Sequence, residues 1–423
     1  MNNYKKITLK NGLRIITVPD KNTQTAAVLV LVGTGSKYET KEINGVSHFL
    51  EHMFFKGTKK RPNLVKLILP LDRIGGHYNA FTGQEYTGYW AKVDASHLDT
   101  ALDFVSDIYL NSIFARGEIN RERGTILQEI NMIFDTPMRY VEELWLKLLY
   151  GNQPAGWDIA GSSDVIKSIK RKHFTQYLED HYSAKNTIIA IAGNINHQST
   201  VKKVKKYFQE ISRQSAKDKL PVREKQSQPR TLIHYKKTDQ THLILGVRAY
   251  NLFHPDKYAL GLLGAVLGAG FSSRLWISVR EREGLAYYLY AGTDMDTDTG
   301  CLTAHTGIDI QRVDKAIKII LNEYKKLANK KVGFSELKKA KDYIKGSTLI
   351  NMEASDAQAS YYATQELLTG EILTLEEKFA KIDKVTAHDI QRVARDIFRP
   401  EKLNLALIGP FKDKRRFEKI LKI

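Results

Sequence analysis

The first clear pattern along the chain is an apolar–polar alternation on either side of Asn11-Gly12. Ile7 to Val18 therefore predicts a β-hairpin closed by a tight two-residue turn, because Asn-Gly supplies the positive φ angles that such a turn needs. Ala26 to Val32 is apolar throughout and predicts a buried central strand. Asn79 to Val93, rich in Tyr, Thr and Phe, predicts further strand. The period then lengthens. Leu98, Ala101, Leu102, Val105, Ile108 and Tyr109 fall on one face of a helix. Helices are also predicted from about Arg116 to Phe134 and from about Asp164 to Tyr182. Hairpins followed by helical runs predict an α+β fold: an antiparallel sheet with helices packed on one face.

The pattern occurs twice. An offset of 216 residues carries Arg14 to Arg230 and Thr25 to Thr241. It carries His173–Tyr182 onto Asp389–Phe398, and Thr187–Gly193 onto Leu403–Gly409. One offset that holds at both ends of each half predicts two duplicated α/β sandwich domains. Between them, Arg213 to Arg230 is polar, broken by proline and without periodicity, as a linker is. The predicted division is residues 1–212, a linker at 213–228, and residues 229–423.

Composition narrows the class. The 423 residues are 42% hydrophobic and 26% charged, which fits a soluble globular protein with a sizeable core. The single cysteine, Cys301, excludes an internal disulfide and a cysteine-based zinc cluster. The longest apolar run, Ala26 to Val32, is far too short to span a bilayer. No apolar stretch follows Met1 to Lys6, so the expectation is a cytoplasmic protein without a secretory signal. The net charge of +18 changes the picture less than its size suggests. Residues 201–240 alone carry 12 basic against 4 acidic side chains. Without interleaved aromatics or a recognisable module, that cluster reads as an exposed linker and helix end, not a nucleic-acid site.

The candidate chemistry lies in His48-Phe49-Leu50-Glu51-His52. On a helix, positions i and i+4 share a face, so both imidazoles can reach one metal ion, and Glu51 at i+3 addresses the same space. Two histidines, one further ligand and an open position make a catalytic zinc site, with Glu51 as general base. The third ligand should come from another helix. Glu122 and Glu129 lie seven apart on one face, and spacing does not choose between them. The repeat supplies a control: the same offset carries His48, Glu51 and His52 to Gly264, Leu267 and Gly268, and Glu129 to Lys345. One half is a potential metal site and the other a related scaffold without it.

With these residues in view, the chain resembles the pitrilysin family of inverted zincins, which share the H-x-x-E-H order. The resemblance runs through Gly45–Thr58, Gly75–Thr82, Glu122–Glu129, Ser272–Leu275, Arg280–Tyr287 and Leu407–Pro410. It covers essentially the whole chain and points to a short, processing-peptidase-like bacterial member. By that resemblance Glu129 is the third zinc ligand, of one zinc per chain, and Glu122 a carboxylate that aims the ligands. Arg280 and Tyr287 match a pair that reaches the active site from the C-terminal half and helps at the scissile carbonyl. Asn79, Ala80 and Phe81 match the strand that flanks the substrate, which the family binds in extended form. The resemblance also implies a closed clamshell of four such domains. A chain with two domains, carrying both the zinc motif and the Arg/Tyr pair, is then a homodimer in which each chain completes the other's site. Two departures bear on the substrate edge: Pro70 should kink or end the helix between Thr58 and Gly75, and the loop before Ser272-Ser273 has fewer glycines than usual.

The expected function is zinc-dependent endopeptidase activity on peptides or unfolded segments, without nucleic acid or membrane. The competing expectations are a non-catalytic scaffold of the same fold and one subunit of a heteromeric processing peptidase.

Overall fold

The computed structural model describes residues 4–423. Six strands form in the first half: β1 (Lys5–Thr8), β2 (Arg14–Pro19), β3 (Thr25–Val32), β4 (His77–Thr82), β5 (Thr87–Asp94) and β6 (Thr187–Gly193). Its helices are α1 (Val46–Phe54), α2 (Leu64–Asp72), α3 (Leu98–Asn111), α4 (Arg116–Asp135), α5 (Pro137–Tyr150), α6 (Ser163–Ser168), α7 (Arg171–His181) and α8 (His197–Tyr207). The second half has β7 (Arg230–Tyr235), β8 (Gln240–Arg248), β9 (Ala286–Met295), β10 (Gly300–Asp309) and β11 (Leu403–Gly409). With them come α9 (Lys257–Gly268), α10 (Val313–Asn329), α11 (Phe334–Asn351), α12 (Ser355–Thr369), α13 (Leu375–Lys384), α14 (Ala387–Ile397) and α15 (Arg415–Ile420). The 216-residue offset carries β2 onto β7, β6 onto β11 and α7 onto α14 residue for residue, and overlays α3, α4 and α5 on α10, α11 and α12.

The two sheets have the same plan. The first runs β1-β2-β6-β3-β5-β4 and the second β7-β11-β8-β10-β9. All pairings are antiparallel except β2 with β6 and β7 with β11. The unbroken apolar run of β3 has a direct cause: both of its faces are covered. Ala26, Val28, Val30 and Val32 pack in one core with Phe49, Leu102 and Phe174 from α1, α3 and α7. Leu29 and Leu31 pack in another, against Ala359, Tyr362 and Ala363 of α12. The expected helical layer on one face is thus joined by a helix on the other.

That second helix comes from the far half of the chain. One compact unit comprises Met1–Asn131, Trp157–Leu220 and Ile350–Ile372; the other comprises Met132–Gly156, Pro221–Leu349 and Leu373–Ile423. In the second unit Val141, Leu144, Trp145 and Leu149 of α5 cover Ile244, Ala406 and Ile408 of the sheet. The helices α5 and α12, equivalent by the repeat, are therefore exchanged between the halves. The division expected at residues 213–228 marks where one sheet gives way to the other, but each unit also includes a segment from across it.

Several local expectations change. The β1–β2 hairpin forms, but its loop has three residues, Lys10 to Gly12. Gly12 N–H donates to Leu9 O at 2.9 Å, and Gly12 takes φ +91°, the usual pattern of a turn followed by a left-handed residue. Asn79 to Val93 is two paired strands, β4 and β5. The run Asp164 to Tyr182 is two helices, broken at Ile169 and Lys170. There Arg123 donates to the carbonyls of Ile166 and Ile169, so the end of α6 is satisfied by a side chain. Pro70 sits inside α2, which continues to Asp72. The basic segment is irregular as expected, yet it is tied down. Lys217 pairs with Asp180 at 2.9 Å, Lys219 with Glu85, and Glu224 with Arg248 at 2.5 Å. Among the described residues no helix is long and apolar enough to cross a membrane.

Candidate metal centre

Helix α1 places His48, Glu51 and His52 along one side because Phe49, Leu50, Met53 and Phe54 bury the other. The helix starts at Gly45, whose φ of +93° and closeness to Ala160 leave no room for a side chain: an added Cβ would stand 2.5 Å from Ala160 O. Its first turn is held from outside by Glu39. That buried carboxylate accepts the N–H groups of Gly45 at 2.7 Å and Ser47 at 2.8 Å, the Ser47 hydroxyl, and the Asn44 side-chain amide at 2.9 Å. Burial pushes the Glu39 pKa up to about 7 although all these donors pull it down.

The third element is α4. Glu129 Oε2 lies 3.7 Å from Nε2 of both His48 and His52. The three ligand atoms all fall within 4.8 Å of one another. Tetrahedral zinc with N and O bonds of about 2.0–2.2 Å holds its ligand atoms roughly 3.3–3.6 Å apart, so the set fits that ion with little movement. Its donor types, two imidazoles and a carboxylate, also suit zinc. Structure thus separates the two carboxylates that spacing left equivalent. Glu129 faces both imidazole Nε2 atoms, while Glu122, one heptad earlier, lies behind His52.

Glu122 Oε1 meets His52 Nδ1 at 2.8 Å, and its other oxygen meets Lys56 Nζ at 2.5 Å. A hydrogen bond at Nδ1 leaves Nε2 as the free ligand atom and fixes the ring's orientation. Burial acts to raise the Glu122 pKa, but the bonds from His52 and Lys56 outweigh it and hold the group below its ordinary value. Burial, with the neighbouring His52, pushes His48 down to about 3, so its imidazole is neutral and fit to bind a metal. Burial raises the pKa of Glu51, whose Oε2 accepts the Thr82 hydroxyl at 2.5 Å. A carboxylate moved toward neutrality is a better proton acceptor than an ordinary one.

Asn79, Ala80 and Phe81 lie on β4, the edge strand that also carries Thr82. The structure therefore brings His48, Glu51, His52, Glu122 and Glu129 together and sets 79–81 on the adjoining edge. Arg280 and Tyr287 belong to the other unit. There Arg280 lies in the π-helical turn Trp276–Glu281 and donates to the carbonyls of Ala286, at 3.0 Å, and Tyr287. Its guanidinium lies 4.8 Å from the Trp276 ring centre and 5.9 Å from that of Tyr287, which is 76% exposed. The pair lines one pocket of about 550 Å³.

Three residues at the centre escaped the sequence reading. Lys56 follows His52 by four and could have been found by extending the 48–52 step one turn. Thr82 ends a quoted motif but carried no role. Glu39 gave no signal, because a carboxylate that caps a helix six residues away is not a spacing pattern.

Residues 14–163 match the model of the insulinase family of peptidases (family M16), and residues 168–344 match the M16 inactive domain. An uncharacterized zinc protease of Bacillus subtilis, YmxG, is 36% identical over 96% of this chain and 98% of its own. An uncharacterized zinc protease of Rickettsia felis is 33% identical over 96% of this chain and 98% of its own. The crystal structure of a protease from Helicobacter pylori superposes with a TM-score of 0.89 at 25% identity, covering 96% of this chain and 99% of that one. A chain of complex III2 from Candida albicans shares the fold, with a TM-score of 0.85 at 18% identity over 99% of this chain and all of its own.

Proposed function

The chain belongs to the insulinase family of peptidases, M16, and on that premise we propose that it is a zinc-dependent endopeptidase acting on peptides or unfolded segments. The observation that carries the reading is the convergence of His48, His52 and Glu129, with Glu51 beside them and Glu122 behind. His48, His52 and Glu129 would hold a zinc ion, which would supply Lewis acidity and lower the pKa of a water at the site. Glu51 takes the proton of the attacking water at its carboxylate and passes it to the leaving amine. Thr82, through its hydroxyl, holds that carboxylate toward the edge strand. Glu122 keeps the His52 ring in place and is itself tied to Lys56.

The substrate is bound in extended form along β4, beside Asn79, Ala80 and Phe81. An edge strand offers unpaired backbone groups, and β4 ends its sheet next to Glu51. Arg280 and Tyr287 act at the carbonyl oxygen from the partner chain of a cytoplasmic homodimer that closes as a clamshell. The exposure of Tyr287 supports this role, as does the lack of the ligand set in the second half, where the aligned residues are Gly264, Leu267, Gly268 and Lys345. Arg280 would exchange its two carbonyl bonds for the substrate. A scaffold role is less well supported, since a scaffold has no need of a complete ligand set with its base.

The test is cleavage of a quenched peptide by the zinc-loaded protein, followed with and without chelator. The expected result is hydrolysis that stops on chelation and is lost in Glu51→Gln while zinc content is kept. Substantial turnover by Glu51→Gln would refute the role of Glu51 as base, and inertness of the zinc-loaded wild type toward a broad peptide mixture would refute the endopeptidase reading.

A further inference from the structure

Glu51 and the hydroxyl that meets it come from different elements. Glu51 lies on α1, Thr82 ends β4, and the two touch at 2.5 Å. Two loops hold these elements in register. The first, residues 33–39, leaves β3 and ends on Glu39, which caps α1. The second, residues 83–86, turns β4 into β5 and is closed by Gly83 N–H on Tyr86 O at 2.8 Å. The two loops are bonded along their backbones. Ser36 N–H donates to Gly83 O at 3.2 Å, and Lys37 N–H to Gln84 O at 3.0 Å. Just past the turn, the Thr87 hydroxyl donates to Thr34 O at 2.8 Å. The approach is close: a Cβ added at Gly35 would stand 2.2 Å from Gly83 O.

An ion cluster crosses this junction. Lys37, 1% exposed, comes from the first loop, and Glu85, 3% exposed, from the second. Lys37 Nζ lies 3.6 Å from Glu85 Oε1, longer than a normal hydrogen bond. Lys219, in the basic segment, donates directly to the same oxygen. Its segment is anchored on α7, where Lys217 N–H donates to Asp180 O at 2.9 Å and Lys217 Nζ pairs with the Asp180 carboxylate at 2.9 Å. Removing one partner of a buried ion pair leaves a charge that the protein no longer compensates. The turn 83–86 would then part from the loop 33–39, and Thr82, one residue before that turn, would shift on Glu51.

We propose that Lys219 is a positioning residue for the base: through Glu85 it clamps the turn after β4 to the loop before α1, and so keeps the Thr82 hydroxyl on Glu51. The inference rests on the endopeptidase reading. It gives the basic segment a part in the reaction that its charge and composition do not predict. Misplacing a reacting group by about 1 Å costs up to ~100-fold in rate, so a remote clamp matters.

The experiment is a double-mutant cycle on the zinc-loaded protein with a quenched peptide. Lys219→Met should lower kcat by about tenfold and leave KM within about twofold, because the pairing of β4 with β5 is untouched. Lys219→Arg should restore kcat. Thr82→Val should lower kcat at least as much, and adding Lys219→Met to it should cause no further fall. Zinc affinity, read by chelator competition, should stay at the wild-type value throughout. A wild-type kcat in Lys219→Met, losses that multiply in the double variant, or weakened zinc binding each overturn the positioning role. Lys219→Gln repeats the cycle should Lys219→Met not fold. Hydrogen exchange supplies a readout independent of turnover. In Lys219→Met the amides of residues 36–37 and 83–86 should exchange faster than in the wild type, while those of α10 stay unchanged. Unchanged exchange at both loops overturns the clamp whether or not any peptide is cleaved. Faster exchange there, in a protein whose wild type cleaves nothing, upholds the clamp and overturns the endopeptidase reading.

Discussion

The Glu39 carboxylate accepts the backbone N–H of Ser47 at 2.8 Å, one residue before the first candidate ligand, His48. Gly45 at the helix start has no side chain to cap with, so a residue from the preceding loop satisfies the first turn instead. The arrangement fixes where α1 begins and therefore how far along its axis the ligands sit.

Glu39→Gln should weaken this entry. Either amide orientation puts an NH2 against a backbone donor, Gly45 N–H or Ser47 N–H. Leaving a buried donor unmatched costs about 1–3 kcal/mol. Denaturant unfolding should show a loss of that size, and an unchanged midpoint would count against the capping role.

Glu122→Gln should loosen the metal without removing a ligand. The His52 ring loses an ionised partner and Lys56 its counter-charge. Loss of such a supporting carboxylate weakens metal binding by about 10–100-fold. Competition with a chromophoric chelator measures this, and wild-type affinity in the variant would contradict the orienting role.

Gly45→Ala should destabilise the first unit. The position combines φ +93° with an added Cβ 2.5 Å from Ala160 O, so the backbone or its neighbour must shift. Strain of this kind costs of order 1–3 kcal/mol. Circular dichroism during chemical unfolding reads it, and a variant as stable as the wild type would show that the loop adapts freely.

His181 should contribute to acid instability. It is buried on α7, its Nδ1 has no hydrogen-bond partner among the described residues, and burial pushes its pKa down to about 4. Unfolded, a histidine titrates near 6.5. Above that pH both states are neutral and the difference vanishes. Between about 6.5 and 4 only the unfolded chain takes the proton, so native stability falls with pH, at most about 1.4 kcal/mol per unit. From pH 7 through 6 to 5 the unfolding free energy of the wild type should fall relative to that of His181→Phe. Parallel pH dependences would exclude the residue.

Local patterns were legible where a single element decides them. The candidate ligand pair on α1 follows from four-residue spacing, and β3 from an apolar run covered on both faces. The duplication was legible because equal offsets preserve equal elements, which is why α7 and α14 correspond residue for residue. What could not be read depended on distant partners. The break between α6 and α7 is met by Arg123, more than forty residues earlier in the chain. Glu122 and Glu129 share one helical face, and their different tasks appear only once α1 crosses α4.

The sequence by itself determined the candidate ligand types, their spacing, the repeat and the α+β elements, because these are properties of helix and strand periodicity. Only the tertiary structure decided which sheet each helix serves. The apolar face of α5 and that of α12 are each suited to a sheet of the same plan, and the two sheets are duplicates. Periodicity measures how apolar a face is, not which of two like surfaces it will cover. The exchange of these helices is settled by where the chain can reach when both cores close.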